Sequence, residues 1–144
     1  MNIRASQLGL PRTHFNNATG LDVSTREAGG YSTAREVSFL MEYIITHYPN
    51  VTDLTKVDVT TVKNEEGAFH AVSNTNEVVN NIEGLIASKT GYTTLAGGNL
   101  VIAFDAGFNR PIIVTVLGST HENRFTDVLN LSERARQYVL TEQN

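Results

Sequence analysis

At 144 residues, 40% hydrophobic and 18% charged, with 11 Gly and 3 Pro, the chain fits one domain with a sizeable core and has no compositional sign of wholesale disorder. A net charge of −4, with Lys and Arg scattered singly, excludes the basic stripe of a nucleic-acid surface. The absence of cysteine removes disulfides, thiolate metal sites and Cys nucleophiles, and no apolar run approaches the ~18 residues of a membrane helix.

The chain opens on Met1-Asn2-Ile3-Arg4-Ala5, which has no charged start followed by an apolar run and so shows no export signal. Residues 1–8 have helical composition and stop at Gly9, with Pro11 close behind. Asn16, Asn17, Gly20, Asp22, Gly29 and Gly30 mark residues 12–31 as a long polar loop. Thr33, with Glu36 three residues on, reads as a capping box. Val37, Leu40, Met41, Ile44 and Tyr48 then recur at helical spacing until His47-Tyr48-Pro49 stops the helix.

Val57, Val59 and Val62 predict a strand, Asn64-Glu65-Glu66-Gly67 a turn, and Phe69 to Val72 the returning arm of a hairpin. Residues 73–84 are Asn-rich and read as a loop. Three strands follow, Gly84–Tyr92, Asn99–Asp105 and Pro111–Gly118, joined by short Gly-containing connections that favour an antiparallel meander. A helix from about Arg124 to Leu140, with Val128, Leu131, Ala135 and Tyr138 or Val139 on one side, closes an α+β order.

The four histidines, His14, His47, His70 and His121, share no ligand spacing, and no Gly-x-Ser-x-Gly elbow is present. Glu65-Glu66 read as a solvated hairpin tip. The chemically informative run is Ser88-Lys89-Thr90-Gly91-Tyr92-Thr93. Lys-Thr-Gly is one of three signatures of penicillin-binding proteins and β-lactamases, beside Ser-x-x-Lys and Ser-x-Asn. A strand-edge Lys sets positive charge beside a nucleophile and a substrate carboxylate, which a Thr hydroxyl can hydrogen-bond. A Gly lets a peptide lie along the strand edge.

Around this run, Asn17-Ala18-Thr19-Gly20-Leu21-Asp22, Tyr31-Ser32-Thr33-Ala34, Asn74-Thr75-Asn76, Leu8-Gly9-Leu10 and Thr13-His14-Phe15 stand in the family's order. The chain resembles the serine D-alanyl-D-alanine carboxypeptidases (low-molecular-mass penicillin-binding proteins), over the C-terminal half of their catalytic domain. None of the eight serines has a Lys three positions on, and none begins Ser-x-Asn. In the family both signatures precede the matched segment, and Met1-Asn2 resembles an internal Met-Asn. Residues 1–144 are therefore expected to form a single partial domain of the β-lactamase/transpeptidase-like fold.

The resemblance implies a parent that trims the terminal D-alanine from peptidoglycan stem peptides through an acyl-serine, without metal or cofactor, outside the cytoplasm, and inhibited by β-lactams. It implies a catalytic neighbourhood at Lys89 and substrate binding by Thr90, Gly91, Tyr92, Thr93 and Arg124. Tyr92 would supply an oxyanion N–H, and Arg124 would hold the terminal carboxylate. Lys89 and Gly91 should face a cleft, with Ile86 turned inward. Without its nucleophile the chain is expected to be an inactive enzyme fragment. A non-catalytic peptidoglycan-binding module and one half of a split enzyme are the alternatives. In the family the strand like 111–117 pairs with an N-terminal strand. Left open, that edge is expected to make the chain a homo-oligomer, by edge pairing across a two-fold axis or by exchange of the terminal helix.

Overall fold

The computed structural model describes residues 1–107 and 109–141. Helix α1 (Asn2–Gln7) leads to a two-residue antiparallel pair, β1 (His14–Phe15) with β2 (Gly30–Tyr31), which closes the 12–31 loop at its base. Helix α2 (Ala34–His47) runs into α3 (Pro49–Thr52) and a 3-10 turn (Asp53–Lys56). The hairpin β3 (Val59–Lys63) and β4 (Phe69–Ser73) follows, then β5 (Leu85–Thr93), β6 (Gly97–Asp105), β7 (Pro111–Ser119) and α4 (Asn123–Thr141). The predicted meander is present as one antiparallel sheet in the order β5-β6-β7.

Alternation sends the residues of β6 to two different layers. Leu100, Ile102 and Phe104 pack with Val114, Phe125 and Val128 under α4. Val101 and Ala103 pack with Ala87 and Met41 under α2. The sheet thus has a helix on each face, which explains why its central strand is almost continuously apolar. Phe104 is 0% exposed, and the Arg136 guanidinium lies 4.7 Å from its ring centroid. Phe104→Ala is expected to destabilise the chain by about 3–5 kcal/mol, read as a lowered midpoint of urea unfolding.

Several local readings change. Thr33 does cap α2, accepting from the Glu36 N–H at 3.2 Å. The Glu36 carboxylate does not return the bond. It accepts instead from the Arg12 N–H and the Thr13 hydroxyl, tying the preceding loop to the helix. On α2, Val37, Met41 and Ile45 face the sheet rather than Ile44, and Tyr48 is an exposed cap. On α4 the buried stripe is Phe125, Val128, Leu129, Ser132 and Ala135, while Leu131 and Tyr138 are exposed. The 49–56 stretch is helical, and residues 73–84 include a 3-10 turn, Val79–Asn81. Short turns of this kind carry too few residues for a periodic signal.

Candidate functional site

Strand β5 is an edge strand, bonded to β6 on one side only. Its outer edge is met first by the 3-10 turn: the Ser88 N–H donates to the Thr55 hydroxyl at 3.1 Å, and the Ser88 hydroxyl to the Thr55 carbonyl at 2.7 Å. The register with β6 is regular from Ala87 onward. Backbone groups alternate along a strand, so Thr90 and Tyr92, like Ser88, turn their N–H groups to this outer edge. No strand covers them among the described residues.

Side chains alternate as well. Lys89 pairs with Val101 and Gly91 with Asn99, on the α2 side of the sheet. Thr90 pairs with Leu100 and Tyr92 with Gly98, on the α4 side. Lys89 and Gly91 are exposed, and Ile86 packs against the Met41 cluster. The inward–outward alternation is imperfect. A bulge between Leu85 and Ala87 lets residues 85–88 all lie at least half-buried, so the strand emerges only at Lys89.

The Lys89 amine donates to the Thr90 carbonyl at 2.6 Å. The Thr90 hydroxyl lies 2.5 Å from that of Thr75. Lys89 and Thr90 line a cavity of about 240 Å³ with Thr55, Ser73, Asn74 and Thr75. A Cβ built on Gly91 would meet only Asn99 Cβ at an ordinary 3.7 Å, so neither packing nor a positive φ requires glycine there. Thr93 Oγ1 accepts from the Ala96 N–H at 3.1 Å and shapes the β5–β6 turn. The Leu95 N–H in that turn donates to Asp22, which anchors the 12–31 loop beside the strand end.

Arg124 stands in the first turn of α4. The loop that delivers it is pressed on β6: a Cβ on Gly98 would sit 2.0 Å from the Thr120 carbonyl oxygen. Thr120 caps the helix through the Asn123 N–H at 2.9 Å. In the same loop His121 meets the Tyr92 ring edge-on at 4.7 Å. Arg124 is 4% exposed, its guanidinium 4.5 Å from the Phe125 ring centroid, and Nε and Nη1 are buried without a hydrogen-bond partner. A cation at a helix N-terminus opposes the helix dipole, and a buried guanidinium without an anion is costly. Among the described residues the Phe125 ring offsets part of that cost, and no hydrogen-bond acceptor meets Nε or Nη1.

Lys89 to Thr93 thus lie on one strand end, with Thr90 and Tyr92 facing the α4 side of the sheet, and Arg124 stands in the first turn of α4, next to the loop whose His121 meets Tyr92. Thr55, Ser73 and Thr75 also belong to this neighbourhood. Their composition carries no catalytic signature; only the tie between the 53–56 turn and β5 brings them in. The other histidines lie apart: His14 stacks on Tyr31, His47 on Tyr43, and His70 reaches Asn64.

An α-sandwiched antiparallel sheet with Lys-Thr-Gly on its open edge is the architecture of penicillin-binding proteins. Penicillin-binding protein D2 of Listeria monocytogenes, solved with cefotaxime bound, is 33% identical with a TM-score of 0.76, over 92% of this chain and 51% of that one. The Streptomyces K15 DD-transpeptidase is 27% identical with a TM-score of 0.71, over 92% of this chain and 52% of that one. The D-alanyl-D-alanine carboxypeptidase family model (Peptidase S11) matches residues 1–121, and the chain belongs to that family. D-alanyl-D-alanine carboxypeptidase DacA of Escherichia coli K12 is 31% identical over 130 residues, 86% of this chain and 29% of its own length. DacF of Bacillus subtilis is 30% identical over 135 residues, 94% of this chain and 33% of its own. The chain therefore spans about half the solved structures and about a third of these curated relatives.

Proposed function

We propose that the chain is the substrate-gripping part of a serine D-alanyl-D-alanine carboxypeptidase. It would hold the C-terminal carboxylate of a peptidoglycan stem peptide at the outer end of β5. The observation that carries this reading is Arg124, a buried guanidinium with Nε and Nη1 unpartnered, in the first turn of the helix packed on the face that bears Thr90. A carboxylate at this end of β5 supplies the missing counter-charge and accepts from the Thr90 hydroxyl. The Thr90 and Tyr92 groups on the open edge pair with the peptide backbone, as an added strand would.

In the parent reaction a serine oxygen bonds to the carbonyl carbon between the two D-alanines. The C–N bond to the terminal D-alanine breaks, a base passes the serine proton to the departing amine, and water then cleaves the ester. This chain contributes the grip, the Lys89 charge and the Tyr92 N–H as one oxyanion donor. It contributes no serine paired with a Lys. β-Lactams, which occupy the Listeria relative in its cefotaxime and ampicillin complexes, would acylate the serine of the parent. An extracytoplasmic location follows from the substrate, and self-association through the open edge of β7 belongs to the same reading.

Titration of the isotope-labelled chain with N-acetyl-D-alanyl-D-alanine and with its C-terminal amide tests the grip. The acid is expected to bind at least about tenfold more tightly, as a charge-assisted hydrogen bond predicts. Arg124→Leu should erase that preference while circular dichroism stays unchanged. Equal affinity for acid and amide would refute the reading.

A further inference from the structure

Thr75 lies outside the Lys-Thr-Gly run, on the segment after β4, yet its hydroxyl sits 2.5 Å from the Thr90 hydroxyl. Each hydroxyl carries one proton and can accept on its lone pairs. A carboxylate only accepts, so a Thr90 that grips one must donate its proton to it. The bond between the two threonines then has a single possible direction, with Thr75 donating and Thr90 accepting. Donation into Thr90 polarises its O–H and strengthens the bond it makes beyond.

The backbone around Thr75 is fixed as a relay requires. The Asn74 N–H donates to the Asp58 carbonyl at 2.6 Å, and the Asn74 side chain donates to the carbonyls of Thr55 and Val57 at 3.0 and 2.9 Å. Asn74 Oδ1 accepts from the Asn76 N–H at 2.9 Å, and Asn76 itself is 1% exposed. Thr55 in turn holds β5 through both polar groups of Ser88. Thr75 and Thr90 are thus set against each other through one common residue, although 15 positions separate them in the chain. Thr75 itself is exposed, so packing does not explain its place.

We infer that Thr75 is a positioning residue for carboxylate recognition: it donates to Thr90 and turns the Thr90 proton toward the ligand. This rests on the carboxylate-gripping reading above and adds to it a residue beyond the strand motif.

A double-mutant cycle on the full chain tests it, with N-acetyl-D-alanyl-D-alanine and its amide as probes. Thr75→Val, which keeps the shape and removes the hydroxyl, should weaken the acid about tenfold and leave the amide unchanged. Thr75→Ser should restore wild-type binding. Thr90→Val and the Thr75→Val/Thr90→Val pair should be equally weak, because the relay has nothing to act on once Thr90 is gone. Full acid affinity in Thr75→Val, equal losses for acid and amide, or additive losses in the pair would each overturn the inference while leaving the grip intact. If the wild-type chain binds the acid no better than the amide, the functional reading fails and the relay fails with it.

Discussion

Incubated with excess benzylpenicillin, the chain is expected to gain no covalent mass. Acylation needs a serine whose proton a nearby base removes, and no serine here is so placed. Ser88 donates to the Thr55 carbonyl, Ser132 to the Val128 carbonyl and Ser119 to Asp127. Ser38 is bonded to Thr115. Ser32 comes nearest to a relay. Thr13 spends its proton on Glu36, so Ser32 must donate to Thr13. That chain ends on a carboxylate that steadies a loop, with no group poised to deprotonate Ser32 for attack.

Ser73 and Ser88 both line the cavity beside Lys89; Ser88 is bonded to Thr55, and Ser73 is the exposed one, but the Lys89 amine donates to the Thr90 carbonyl rather than pairing with it. In a serine hydrolase of another fold, loss of the nucleophile costs about 10⁶-fold in kcat, so hydrolysis of a D-Ala-D-Ala peptide should be lost to a similar degree. Intact-mass spectrometry reads the first result and release of D-alanine the second. A stoichiometric adduct, particularly one abolished by Ser73→Ala, would mean that the exposed hydroxyl in that cavity is the nucleophile.

What the sequence made legible depends on how far a signal reaches along the chain. The sheet was readable because β5, β6 and β7 are long and joined by short turns, so period and spacing coincide. Lys89 to Thr93 were readable because a strand motif is contiguous. Arg124 was expected only through the family resemblance; its burial without a partner depends on the Phe125 ring and on the loop pressed against Gly98. Thr75 and Thr55 were not assigned a role, because a hydroxyl pair formed across 15 residues leaves no periodic trace. The Leu131 assignment failed for a related reason. A helical stripe specifies a face only to within about one residue in either direction, and α4 turns Ser132 inward to donate to its own Val128 carbonyl. Leu131 is thereby left beside the open edge of β7.

At micromolar concentration the chain is expected to sediment as a two-fold dimer paired through β7. Among the described residues, no strand covers the outer edge of this nine-residue strand, Pro111–Ser119. Exchange of the terminal helix would re-form the packing that Phe125 and Val128 already make within one chain, and would leave the β7 edge uncovered. Antiparallel self-pairing in full register puts the axis at the strand midpoint, Thr115, where Ser38 of α2 is bonded at 2.7 Å. That axis also bisects the charges on both flanking helices.

On the α2 side, Arg35 and Glu42 line the groove beside Ile113, about two turns apart with Phe39 between them. On the α4 side, Asp127 and Arg134 line the groove beside Val116, again about two turns apart with Leu131 between them. Rotation about the axis brings Arg35 to Glu42 and Asp127 to Arg134 of the second copy, with Phe39 and Leu131 each meeting its own counterpart. Arg35→Glu with Arg134→Glu sets like charges opposite and should weaken the dimer by about tenfold or more. Arg35→Glu with Glu42→Arg exchanges the signs symmetrically and should leave it intact. A wild-type monomer, or equal weakening by both double variants, would sink this geometry.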